Sequence, residues 1–402
     1  MYKIIITFIL LSVMLFQAGC ADTAPKEEKV TRITSPFYQE EADDPIDAPY
    51  IPEPPKEITI KFLAAGDNII HSNIYEDAFD RAREDTPEYN FFDMYEGIAE
   101  FVALSDIAFI NQETPIAGEE YGYSGYPNFN SPNEAGDALV DLGFDIVNIA
   151  NNHMLDKWES GLLNYIDYFE TKDVLLLGAY RNAENYDRIR VYEEQGVKIA
   201  FLSYTYGTNG MVLPAGSEHI IPLPSDEVLI RQINLAKEAG DLVFVSMHWG
   251  EEDWFTLSDR QKHFAQLMVD MGVDVIIGHH PHVVQPVEWA ENADGHQTLI
   301  IYSLGNLIST MLYSRNMVGG IATFDIIKYG DEAPYIANPL FTPVMCHYNM
   351  NRKGLQVYLL ENYSEELASG HGAQKNGKFN YDTLISYITS TISGEFLPDF
   401  YK

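Results

Sequence analysis

VDVIIGHHPHVVQPVE, residues 273–288, decides the fold. Its first half is a short β-branched apolar run with the character of a strand buried on both faces. The run stops at a glycine, and three imidazoles follow within four positions, with Pro281 between the last two. A buried strand that ends on His-His-Pro-His is delivering polar side chains to one place. In an extended segment the side chains of His280 and His282 would project to the same side.

The same arrangement recurs along the chain. Apolar runs at residues 58–65, 107–111, 146–149, 174–177, 198–204, 242–247, 273–277 and 299–303 predict strands. Between them, residues 132–142 and 258–271 have helical spacing and end before Gly143 and Gly272. Strands alternating with helices predict an α/β fold. A further helix is predicted over 381–392.

The polar residues fall just past the strands. Asp67 follows the first run, Asn111 and Glu113 close the second, and Asn151, Asn152 and His153 follow the third. His248 and Glu252 come after DLVFVSM, His280 and His282 after VDVIIG, and Asn306 after TLIIYSLG. Sites in open α/β sheets are built at the carboxyl ends of strands, so these residues are expected on one rim. Carboxylate, amide oxygen and imidazole without thiolate suit Zn, Mn, Fe or Ni. Asp67, Glu113, Asn152, His248, His280 and His282 are the candidate ligands, enough for one or two divalent ions. His71 and His153 are the candidate catalytic imidazoles: His71 reads equally as a proton donor to a leaving group, as a ligand or as a support to one, and His153 could also add a ligand nitrogen. Asn111, Asn151, Glu252 and Asn306 are candidate substrate contacts. His279 is expected only to abut the site, and Trp249 to pack or to wall a cleft. His219, His263, His296, His347 and His371 lack any such setting and are assigned no role. The Gly/Tyr/Asn-rich stretch 119–132 reads equally as a functional loop or as a surface loop packed on its own aromatics.

Composition bounds the partners. A formal net charge of −35 over 402 residues argues against nucleic acid. The first 20 residues, MYKIIITFILLSVMLFQAGC, have one early lysine, an apolar core and a small-residue ending before Cys20. That is a secretory signal pattern. Its Ala-Gly-Cys ending resembles a bacterial lipobox, which implies lipidation of Cys20 and an extracellular, membrane-anchored protein. Gln17 departs from that pattern, which leaves plain secretion with cleavage nearby, or an uncleaved anchor, as the alternatives. Residues 21–57 are rich in Pro, Glu and Asp and predict a disordered tether. The main domain is expected over 58–350, with 351–402 as an extension packing on it. Cys346 reads as a small buried apolar residue.

The stretches FLAAGDNIIH, NQETPI, YPNFNSPNEAGDAL, GFDIVNIANNHMLD, MHWGEE, GHHPHVVQP and YSLGN occur in this order. Together they resemble the CapA proteins of bacterial poly-γ-glutamate capsule synthesis, a divergent branch of the calcineurin-like metallophosphatases. The resemblance implies a four-layer α/β/β/α sandwich with its site on the strand-end rim. It also implies a role in making or attaching capsule polymer. It points to Asp67, Glu113, Asn152, His153, His248, His280 and His282. Asn152-His153 is similar to the Asn-His pair of the wider metallophosphatases, and His280-Pro281-His282 to their closing His-x-His. Ile69 stands where those enzymes carry a histidine, and Asn111-Gln112-Glu113 replaces their Gly-Asp-x-x-Asp. Two functions follow as expectations. One is a metal-dependent hydrolase acting on an anionic polymer or a phosphoester. The other is a non-catalytic lipoprotein that binds polymer or steadies a membrane synthase.

Overall fold

The structure is a computed structural model that describes residues 56–376 and 379–402. The signal segment with Cys20, and the tether up to residue 55, lie outside the described residues. Among the described residues fourteen strands form two sheets. In chain order they are β1 (Glu57–Asn68), β2 (Ile107–Gln112), β3 (Ile146–Asn148), β4 (Leu175–Leu177), β5 (Arg190–Glu194), β6 (Val197–Thr205) and β7 (Leu242–His248). Then come β8 (Val275–His279), β9 (Val287–Glu291), β10 (Gln297–Ile301), β11 (Asn306–Ile308), β12 (Val318–Tyr329), β13 (Tyr335–His347) and β14 (Gln356–Leu359).

The first sheet has the order β14-β13-β12-β1-β2-β3-β4, with β11 pairing the end of β1. The second has the order β5-β6-β7-β8-β10-β9. Each has a parallel centre, β1 to β4 in one and β6-β7-β8-β10 in the other, extended by antiparallel strands. The central strands are continuous apolar runs because both of their faces are covered. Phe62 of β1 meets Phe324 of β12, Phe244 of β7 and Phe201 of β6 at ring-centroid distances of 4.8, 5.2 and 6.3 Å. This aromatic cluster fills the space between the sheets.

Helices form the outer layers. On the second sheet, Leu202, Tyr204, Val243 and Val245 pack against Leu229 and Ile233 of the helix Asp226–Ala239 and Phe264 and Met268 of the helix Asp259–Asp270. The latter helix starts in a capping box, Ser258 with Gln261, which satisfies two otherwise orphaned backbone donors. The helices Glu96–Ala103, Asn133–Leu142 and Trp158–Glu170 bury Val102, Leu139, Tyr165 and Phe169 in the core of the first sheet. The result is the expected α/β/β/α sandwich.

The predicted strand runs fall in β1, β2, β3, β4, β6, β7, β8 and β10. Two of the three longest strands, β12 and β13, were not anticipated. β12 contains Gly319, Gly320 and Asp325, and β13 contains Pro339 and Pro343. Their pairing shifts register between Thr323 and Asp325, where Asn338 has φ +51°. These features erase the alternation that signals a strand. Beyond residue 350 the chain continues into the first sheet, since β14 pairs with β13 and lies against the helix Glu96–Ala103. The C-terminal helix spans Tyr381–Thr389, shorter than the periodicity suggests.

Two glycines let the site close. At Gly66 a Cβ would lie 2.2 Å from Gly305 O, and at Gly278 it would lie 1.9 Å from Tyr302 O. The backbone before Asn306 therefore presses directly on β1 and β8, which brings Asp67 beside Asn306 in the β1–β11 register.

Candidate metal centre

Asp67, at the end of β1, is the hub. It is fully buried and takes donors from both sheets. Asn111 Nδ2 donates to Oδ1 at 2.8 Å, and His279 Nδ1 lies 3.2 Å from the same oxygen. The backbone N–H of His280 donates to Oδ2 at 3.3 Å, and His282 Nδ1 lies 3.2 Å from it. Burial alone would raise this carboxyl. The hydrogen bonds and charges of His279 and His282 outweigh that and hold it well below the usual carboxylate range.

The HHPH segment is not extended, contrary to the reading from spacing. β8 ends at His279, and His280 and His282 have φ of +98° and +56°. Both rings still reach one place, with centroids 5.7 Å apart. Non-glycine residues in this conformation cost about 1–3 kcal/mol each and cluster at functional sites. Asn306 Oδ1 sits 3.0 Å from His282 Nδ1, and Glu113 Oε1 sits 3.6 Å from His282 Nε2. Burial pushes His282 down, but the Glu113 charge and the Asp67 hydrogen bond raise it to about 10.

Several metal-binding atoms in this buried site have no hydrogen-bond partner among the described residues. Both oxygens of Glu113, Nδ1 of His248, Nε2 of His279 and Nδ1 of His280 make no hydrogen bond among the described residues. A buried carboxylate without hydrogen bonds is costly: burial pushes Glu113 well above its ordinary pKa, while the neighbouring His282 pulls it the other way. Burial likewise holds His280 down at about 3 and His248 well below its usual value, so both are neutral ligand-type imidazoles. Asn152 Oδ1 lies 2.9 Å from His248 Nε2, and the His248 and His280 rings are 4.8 Å apart. Two sets of donor atoms each converge within 4.8 Å: Asp67, Glu113 and His282, and Glu252, His280 and His282. Asp67, Glu113 and His282, with the unbonded Glu113 oxygens among them, form an oxygen and imidazole donor set that fits a divalent metal ion.

The two candidate catalytic imidazoles share one support. Phe129, from the 119–132 loop, meets His153 edge-on at 4.7 Å and His71 at 5.3 Å. The Asn130 side chain pins this loop by accepting from Ala117 N and donating to the carbonyls of Gly118 and Gly122. The stretch thus contacts the site through Phe129 and still holds itself together. His153 Nδ1 is 2.8 Å from Asp156 Oδ2, which also accepts from Phe129 N. A carboxylate on Nδ1 fixes the tautomer and leaves Nε2 for chemistry. His71 Nδ1 accepts from Thr310 N at 3.3 Å, and burial lowers this imidazole to about 4. It is therefore neutral at pH 7, with its proton on Nε2, rather than a charged acid.

Three assignments need correction. Asn111, Asn151 and Asn306 are fully buried with both amide atoms engaged, so they are not free to contact substrate. Asn111 accepts from Asn148 Nδ2 while donating to Asp67. Asn151 donates to Gln112 O and accepts from His153 N. Asn306 donates to Asn316 O and Ser309 Oγ. All three orient other site residues. Glu252 alone of the four is exposed, beside His280 and His282. Sequence reasoning missed Asp156, Phe129 and the role of His279. Asp156 had a signal, three positions after His153; Phe129 had none.

Over 194 residues the chain is 34% identical to the PGA biosynthesis protein CapA of Bacillus subtilis, covering 48% of this chain and 50% of that protein. It is 32% identical over 197 residues to the capsule biosynthesis protein CapA of Bacillus anthracis, covering 48% and 47%. The chain spans about half the length of these curated relatives. Among solved structures it is similar to the NAD nucleotidase of Haemophilus influenzae, at 11% identity and a TM-score of 0.47, covering 86% of this chain and 65% of that one. It is also similar to the calcineurin-like phosphoesterase YfkN of Bacillus subtilis, at 13% identity and a TM-score of 0.42, covering 83% and 97%. Residues 61–311, which carry every strand from β2 to β11 and all the site residues above, match the family described as bacterial capsule synthesis protein PGA_cap, and the chain belongs to that family.

Proposed function

We propose that this protein is a metal-dependent hydrolase of the cell surface, working on an anionic polymer of the poly-γ-glutamate kind or on a phosphoester. The observation that carries the reading is Glu113, whose two carboxylate oxygens are buried at the centre without a hydrogen-bond partner among the described residues. Asp67, Glu113 and His282 would hold one ion, and Glu252, Asn152, His248 and His280 supply donors for a second. A bound divalent ion lowers the pKa of water and polarises the bond under attack. The chain's own residues do the rest. Asp156 holds His153 so that Nε2 can accept or return a proton. His71 offers a neutral N–H to a leaving-group oxygen. Asn111 and Asn306 keep Asp67 and His282 in register.

Metal content of the purified chain, measured beside a His280→Ala/His282→Ala double variant, tests this reading. Near-stoichiometric metal in the parent, lost from a folded variant together with hydrolysis of γ-glutamyl or phosphodiester substrates, is the expected result. Equal turnover by metal-free and metal-loaded parent would sink it. One observation favours a second, non-catalytic reading as a polymer-binding or synthase-supporting protein: the buried, apolar Ile69 occupies a place where a ligand is expected. Unchanged polymer output in cells carrying the double variant is the outcome that reading requires.

The Ala18-Gly19-Cys20 ending supports lipid anchoring at Cys20 on the outer face of the membrane. Fatty-acid labelling that persists in a Cys20→Ala variant would count against it.

A further inference from the structure

Beside the centre lies a cleft of about 340 Å³, whose lining includes Tyr206, Trp249, Glu252, Trp254, Arg260 and His280. His280 joins the cleft to the centre: it is 3% exposed, and its Nδ1 has no partner among the described residues. Trp254 is 56% exposed on a backbone that is tied down. Gln285 Nε2 donates to Trp254 O at 2.7 Å, and Asp253 N donates to Pro281 O at 2.8 Å. The Asp253 carboxylate is in turn held by Arg315 and Asn316. An aromatic side chain on a fixed backbone at the surface offers a platform with only its two side-chain torsions left to order when something lies on it.

Arg260 supplies the charge. Its guanidinium lies over the Phe264 ring at 5.3 Å and forms no ion pair among the described residues. Arg81, Arg83, Arg181, Arg188, Arg231 and Arg315 have carboxylate partners, whereas Arg190, Arg352 and Arg260 form no ion pair among the described residues, and of these three Arg260 lines the cleft. In a chain of net charge −35, an arginine without one at a cleft wall is conspicuous. A stacked guanidinium keeps its planar fork free for two parallel bonds to a carboxylate.

We propose that this cleft seats the substrate chain, with Arg260 taking a carboxylate of a glutamyl-type polypeptide. Trp254 and Tyr206 flank its methylene and amide groups, and the bond to be cut is presented at His280 and Glu252. This deepens, and rests on, the hydrolase reading given above. The other charges in the cleft favour a carboxylate over a phosphate. Glu251 and Glu252 also line it. A phosphomonoester would bring two charges to the single arginine beside these carboxylates, whereas a carboxylate chain brings one charge per repeat with neutral amides between.

The test is calorimetric titration of the metal-loaded full chain with a γ-linked glutamate oligomer, with metal content measured on the same samples. Parent, Arg260→Gln, Arg260→Lys and Trp254→Ala are compared. Loss of one hydrogen-bonded charge contact corresponds to about 10- to 100-fold in affinity. Arg260→Gln is expected to weaken binding by that factor at unchanged metal content, with partial recovery in Arg260→Lys. Oligomer binding by Arg260→Gln at the parent's affinity overturns the cleft and leaves the hydrolase reading standing. A metal-loaded parent that binds no oligomer overturns the glutamyl substrate. Tripolyphosphate binding more tightly than the oligomer, in an Arg260-dependent way, overturns it too and gives the cleft to phosphoesters. A parent that takes up no metal removes the hydrolase reading itself.

Discussion

His279 Nδ1 lies 3.2 Å from Asp67 Oδ1, across 212 positions of sequence, and so joins the end of β8 in one sheet to the end of β1 in the other. The pair is fully buried. The contact makes Asp67 a member of both halves of the sandwich, and it orders the expectations that follow.

Metal uptake should release protons. His282 is raised to about 10 by Glu113 and Asp67 despite its burial, so without metal it is protonated at pH 7. Ligation needs the neutral ring, so affinity rises as pH climbs toward 10 and falls as protons compete below it. The apparent Kd is expected to drop by up to about tenfold per pH unit between pH 6.5 and 8.5. Calorimetry in two buffers of different ionisation heat should give different apparent enthalpies, and identical ones would refute the proton count.

Glu113→Gln keeps the volume of the side chain and removes its charge. Ligand at 100 times its Kd stabilises a fold by about 2.7 kcal/mol. The parent should show a gain of that order on saturation with its preferred ion, and the variant little of it. Thermal melts with and without metal decide the matter. A variant that gains as much as the parent excludes Glu113 as a ligand.

Asp156→Asn should leave metal content intact and impair turnover. Its carboxylate orients His153, and loss of a positioned acid–base group costs about 10²- to 10⁴-fold in rate. The change is expected in kcat rather than KM, with a displaced pH–rate profile. An unaltered kcat would leave His153 as a packing residue.

Acid should loosen the C-terminal region. His371 Nε2 lies 3.0 Å from Cys346 O, and Nδ1 accepts from Ala373 N at 2.9 Å, an arrangement only the neutral ring satisfies. Burial lowers it to about 3. Its folded pKa lies below the ordinary value of about 6.5, so its contribution is complete above that value. It is lost as pH falls from there toward 3, where the unfolded chain binds the proton and the folded one does not. Denaturant midpoints should decline from pH 7 to pH 4.5. A folded His371→Gln variant should start lower and decline less.

The sequence was most informative where the physics is local. A buried parallel strand has to be an apolar run, and polar residues just beyond it have to be there for a reason; β1, β2, β3, β7 and β8 and their terminal Asp67, Asn111, His153, His248 and His280 follow from that. Which polar residue does what depends on geometry that spacing does not carry. Asn111, Asn151 and Asn306 looked like free amides and are fully engaged. His279 looked incidental and holds Asp67. The HHPH segment brings its rings together through two left-handed residues, not through the i, i+2 alternation of a strand. β12 and β13 stayed hidden because Gly320, Pro339 and Pro343 mask them, while their strand character comes from pairing with each other and with β1.

That last pairing sets an order of events during synthesis. β1 finds one neighbour early, since Phe62 pairs with Ile107 in β2. Its other edge waits for β12, where Phe62 pairs with Phe324 and Glu57 with Tyr329. Chains emerge amino end first, and distant pairings form late. The strand that ends on Asp67 is thus among the first made, yet its second edge stays unprotected until most of the polypeptide has been produced. Through that interval its unpaired edge and apolar side chains are open to association with other chains.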